Sequence, residues 1–129
     1  MVRRQDGFTF LEMIMVIIIL GILVSIALPN YRTAMIEAKE AVLKEDLFRL
    51  RDTIDQYYSD KGKYPASLES LVEDGYLRKM PVDPITNAAD WETVPAEPDT
   101  DNPNDQAGIY DVKSSSTQTS MSGTPYNEW

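Results

Sequence analysis

Neither cysteine nor histidine occurs among the 129 residues of this chain, and each absence excludes a class of chemistry. Without cysteine there is no disulfide staple, no thiol nucleophile and no thiolate metal site. Without histidine the commonest metal ligand and the commonest acid–base group near neutral pH are gone. Positive charge is scarce too: 12 Lys and Arg stand against 21 Asp and Glu, for a formal net charge of -9. Such a surface repels phosphate backbones, so nucleic acid is not an expected ligand. There is no glycine-rich phosphate cradle, and paired carboxylates occur only in stretches that read as solvated loops. The chain is therefore not expected to be an enzyme. Its length allows one small domain plus an anchor, and no internal repeat is visible.

What the chain does have is a long apolar run. Residues 8–28 are interrupted only by Thr9, Glu12, Gly21 and Ser25. As a helix this run would span about 31 Å, matching a bilayer core of about 30 Å. Arg3 and Arg4 precede it and few cationic residues follow closely, so the N-terminus is expected in the cytoplasm and the remainder exported. Glu12 is the anomaly. A carboxylate within hydrocarbon costs roughly 2.5–3.5 kcal/mol on insertion scales, and such groups are functional suspects by default. A chain that keeps Glu12 there needs a positive charge to meet it, which points to subunits pairing inside the membrane.

Pro29 should kink the helix, yet the helical pattern resumes at once. Leu43, Leu47, Leu50, Ile54 and Tyr57 recur at alternating spacings of four and three, the signature of one apolar face. Glu40 with Lys44, and Glu45 with Arg49, are placed for i,i+4 pairs on the wet side. One helix is expected over about residues 8–59, bent near Pro29, apolar all round in its first half and amphipathic in its second. Gly62 is a natural C′ residue, and Pro65 prevents continuation. Ser67 should cap a short helix over about residues 68–74, which Gly75 ends. Asp83-Pro84 signals a turn, and residues 91–94 and 109–112 are short strand candidates. Residues 95–107 read as an exposed loop, and residues 114–123 as a polar, low-complexity stretch. Asp99, Asp101 and Asp105 have the alternation of an EF-hand start, but Pro103 replaces a ligand position and no glycine supplies the sharp turn.

Three readings of the N-terminal segment are open. It is a secretory signal with Ser25-Ile26-Ala27 as a small-x-small cleavage site, releasing a soluble binding domain after Ala27. Or it is a plain anchor, with Glu12 wetted at the interface. Or it is the leader of an assembling subunit. The third carries a resemblance: a short basic leader, Gly7, Phe8, Glu12 and an unbroken apolar run resemble the class III signal of type IV pilin-like proteins. The segment 57–65, Tyr-Tyr-Ser-Asp-Lys-Gly-Lys-Tyr-Pro, is similar to the helix-ending turn of type II secretion major pseudopilins. The short helix, the Gly75-Tyr76-Leu77 exit and the Pro81-Val82-Asp83-Pro84 turn fit the same pattern.

The resemblance implies a pilin-like α+β fold: a long N-terminal helix, transmembrane in its first half, packed on a small C-terminal domain with a short helix and a small antiparallel sheet. It divides the chain into a leader (1–7), a transmembrane assembly helix (8–30) and a periplasmic head (31–129). It implies prepilin peptidase cleavage between Gly7 and Phe8 and N-methylation of Phe8. Phe8, Glu12 and Pro29 become the assembly residues. The implied setting is the bacterial inner membrane, where a single-pass subunit enters a helical homopolymer with minor pseudopilins, a platform protein and a secretion ATPase. The implied activity is transport of folded proteins toward an outer-membrane channel; a type IV pilus subunit for adhesion, motility or DNA uptake is the alternative. The resemblance also implies a calcium-bound C-terminal loop. Residues 108–114 are similar to the strand leading into it, which makes Asp111 the carried-over calcium ligand. The family's acidic, glycine-rich remainder is here residues 115–123, which contain no carboxylate.

Overall fold

Pro29 does not end the first helix. In the computed structural model, which describes residues 6–98, 101 and 107–129, α1 runs as one helix over Phe10–Lys61. The expected boundaries, near residues 8 and 59, are each met to within two residues. The chain divides into two units, one ending at Ile36 and the other beginning at Glu37.

In the first unit α1 is apolar on every side as far as Leu28, apart from Glu12, and the described residues of that unit are all exposed. Its most apolar 18-residue window has a mean hydropathy of 2.9 and is 0% buried, so the helix is long and apolar enough to cross a membrane. Pro29 lacks the N–H that would close one helical hydrogen bond. Hydroxyls flank the gap: Ser25 Oγ donates to the Gly21 carbonyl (2.8 Å) and Thr33 Oγ1 to the Pro29 carbonyl (3.2 Å).

The second unit is built on the amphipathic half of α1. Leu43, Leu47, Leu50, Ile54 and Tyr57 are all buried, as their spacing requires. They pack with Leu68, Leu71, Trp91, Ile109, Val112 and Tyr126 into one core. Gly62 ends α1 in a left-handed conformation (φ 71°), its N–H donating to the Tyr58 carbonyl at 2.8 Å. Ser67 caps α2 (Leu68–Glu73) by accepting from the Ser70 N–H at 3.3 Å. Gly75 (φ 81°) follows that helix.

β1 (Glu92–Pro95) pairs antiparallel with β2 (Ile109–Lys113), and the register shifts between Val94 and Pro95. Proline has no N–H for the ladder, so regular pairing fails there. Ala96 resumes contact through its N–H to the Gly108 carbonyl (2.7 Å). β2 is also anchored to the turn after α1, where Ile109 N–H donates to the Pro65 carbonyl at 2.8 Å. A 3-10 turn, Tyr126–Glu128, closes the described chain and was not foreseen from sequence. The α+β class and the two-stranded sheet agree with expectation.

Candidate functional site

The assembly residues sit at the start of α1. Gly7 and Phe8 are exposed and precede the first helical residue. Among the described residues, chain neighbours apart, nothing lies within 4 Å of where a Cβ on Gly7 would stand. Thr9 caps the helix: its side-chain oxygen accepts from the Glu12 N–H at 3.2 Å, and its carbonyl accepts from the Met13 N–H at 3.2 Å. Thr9 and Glu12 have the spacing of a capping box, a signal the sequence reading missed. The consequence is positional. Glu12 stands in the first turn, where the exposed N–H groups of the helix favour an anion. Among the described residues, its carboxylate has no ion-pair partner. Pro29 lies inside the same helix, away from this terminus.

The second cluster lies in the head, where side chains of α1 hold the segment after β1. Arg51 donates from Nε to Asp111 Oδ1 (2.7 Å), and from one terminal nitrogen to the backbone oxygens of Val112 (3.0 Å) and Trp129 (2.8 Å). Glu40 Oε1 accepts from the Met121 N–H and the Tyr126 hydroxyl, each at 2.9 Å. Burial, and then the bond to Glu40, push the Tyr126 hydroxyl above the ordinary tyrosine range, so it remains a donor. Lys44 stands 4.9 Å over the Trp129 ring, whose indole N–H reaches Thr124 Oγ1 at 2.9 Å. The expected Glu40–Lys44 pair therefore does not form; both side chains turn to the C-terminal segment. The Glu45–Arg49 pair does form, at 2.8 Å.

A third group joins the Asp83-Pro84 turn to this segment. Asp83 is fully buried; it accepts from the Ile85 N–H at 2.8 Å and from the Ser114 hydroxyl. Ser114 Oγ accepts in turn from the Ser116 N–H at 3.2 Å. Ser114, Ser116 and Ser120 are buried, so the stretch that reads as low complexity is an ordered, hydrogen-bonded loop. The described residues leave no buried side-chain polar atom without a partner.

Calcium needs about 6–8 oxygen ligands, with carboxylates among them. Asp111 does not sit in such a set. Its Oδ1 already accepts from Arg51 and from the Val112 N–H (2.8 Å), and a guanidinium is the nearest charge. Among the described residues no three acidic side chains come together. The Asp99 and Asp105 members of the alternating acidic cluster lie outside the described residues.

The profile of the prokaryotic N-terminal methylation motif matches residues 2–28. The type II secretion system core protein G of Pseudomonas aeruginosa is 37% identical over 101 residues, covering 66% of this chain and 71% of that protein. Its namesake in Aeromonas hydrophila is 35% identical over 101 residues, with the same coverage of 66% and 71%. That of Escherichia coli K12 is 34% identical over 100 residues, covering 65% and 69%. No solved structure gives a significant match. A methylation motif placed over Gly7, Phe8 and Glu12, together with identity that runs through most of the chain, assigns this protein to the type II secretion system core protein G family, the major pseudopilins.

Proposed function

We propose that this pseudopilin is the repeating subunit of a helical filament that serves type II secretion, with register set by Glu12 and the amine of Phe8. The observation that carries the reading is the helix start. Gly7 is exposed and, among the described residues, touches nothing that would exclude a larger residue, so the described fold gives no reason for glycine there. A peptidase that must accept this bond supplies one. Cleavage before Phe8 removes Arg3, Arg4 and Asp6 and leaves a cationic amine, which methylation keeps basic. The methylation motif over these residues favours that cut over one after Ala27.

In the membrane, Glu12 has the positive end of its own helix but no cation within the described chain. The Phe8 amine of a neighbour, stacked with an axial shift, supplies that cation. A paired carboxylate is tolerable in low dielectric; a helix docked at the wrong height leaves Glu12 stranded, and that cost selects one register. On this reading the subunit waits in the inner membrane with its N-terminus cytoplasmic and its head periplasmic. Prepilin peptidase processes it, a platform protein and a cytoplasmic ATPase drive its addition, and minor pseudopilins share the filament. The role is mechanical, not enzymatic.

The test is complementation of a deletion strain. The deletion should abolish secretion of type II substrates, and the wild-type gene should restore it. Glu12→Val should reach the membrane in normal amount yet restore neither secretion nor cross-linkable multimers. Secretion that survives the deletion rejects the pseudopilus, whereas full rescue by Glu12→Val rejects the pairing.

A further inference from the structure

Glu40, Lys44 and Arg51 are spaced by 4 and 7 residues, so they share one stripe of α1, beside the apolar stripe that builds the core. Each reaches the C-terminal segment at a different place. Glu40 holds the middle through Met121 and Tyr126, Lys44 covers the Trp129 ring, and Arg51 ties Asp111 and Val112 of β2 to Trp129. Tyr126 and Trp129 meet edge to face at 5.1 Å, which joins the Glu40 contact to the Lys44 contact. Arg51 bridges residues far apart in sequence, as a disulfide or a metal ion does in loops that cannot hold themselves closed.

We infer that the charged stripe of α1, with the Arg51 guanidinium as its main tie, closes the C-terminal loop in place of a divalent cation, and that the head is stable without calcium. The charges fit this role. A guanidinium is a fixed cation with donors in a planar fork, and here it serves one carboxylate oxygen and two backbone oxygens together. Calcium at Asp111 would have to displace Arg51 or stand beside it, like charge against like. The loop that follows, residues 114–123, contains no carboxylate of its own; serine and threonine hydroxyls meet its polar groups, joined from outside the loop by Asp83 and Glu40. The inference stands on the head alone and does not depend on what the chain assembles into.

The experiment is thermal unfolding of the full-length mature chain in detergent micelles, followed by near-UV circular dichroism in excess EGTA or excess calcium chloride. Wild type should melt within about 2 °C in the two conditions, the scale of an effect well under that of a bound ion. Arg51→Met should lower the melting temperature by about 5–15 °C, and calcium should not restore it. Arg51→Lys, which keeps the charge but loses the fork, should fall between the two and covers the case in which Arg51→Met fails to fold. A calcium-induced rise of about 5 °C or more in the wild type overturns the inference. So does an Arg51→Met protein that melts with the wild type.

Discussion

Gly7 and Gly108 look alike in the sequence, each a glycine beside an apolar segment, yet the fold requires only the second. A Cβ on Gly108 would stand 2.6 Å from both the Cβ and the backbone oxygen of Tyr64, atoms that cannot swing aside. Gly108→Ala should therefore cost about 1–3 kcal/mol, the usual range for forcing atoms into a closed space. The loss should appear as a lower urea midpoint with an unchanged slope, because the surface exposed on unfolding stays the same. A midpoint equal to the wild type would mean that the approach of β2 to the turn after α1 is loose. Sequence could not reveal this contact, since it joins residues far apart in the chain. The same holds for Glu40: its i,i+4 spacing to Lys44 is visible locally, while Met121 and Tyr126, which claim it, are not. Thr9 is the opposite case. Its cap and its spacing to Glu12 are local and could have been read at once.

At the scale of elements, legibility follows length. The alternating four-three spacing of α1 repeats over several turns, so both its buried face and its glycine stop could be read from sequence. α2 has 6 residues, too few to form alone, and holds its shape through Ser67 and the burial of Leu68 and Leu71. Ser67→Ala should lower head stability by about 0.5–2 kcal/mol, measured by chemical denaturation, whereas Ser67→Asp should be close to neutral. Equal stability of the alanine variant would show that packing alone positions α2. The 3-10 turn Tyr126–Glu128 was illegible because 3 residues carry no periodicity. The serine-rich stretch could be read as polar and low in complexity, but the sequence does not show what holds it. Its order comes from Asp83, which the turn after α2 delivers to Ser114 from outside the segment. Polar composition marks a loop, but whether that loop is ordered depends on partners that only the tertiary fold supplies.

For the head as a whole, the net charge of -9 makes carboxylate placement a stability question. Asp46, on α1 beside the core, has its pKa raised first by partial burial, with Glu45 and Asp83 adding to the rise and Arg49 opposing it. A raised carboxyl pKa means that the folded head binds this proton more readily than the unfolded chain does. Ionised Asp46 therefore works against folding: its unfavourable contribution is absent below the unfolded pKa, near 4, and complete once pH exceeds the folded value. Asp46→Asn keeps the shape and removes that charge. It should raise head stability near pH 7 by about 0.5 kcal/mol, a small figure because solvent screens a partly exposed group. The gain should vanish near pH 3, where wild-type Asp46 is already neutral. Denaturant melts of the two proteins at both pH values provide the measurement. A variant less stable than wild type at neutral pH would mean that Arg49 outweighs burial and holds Asp46 in a favourable pair, reversing the sign assigned to this carboxylate.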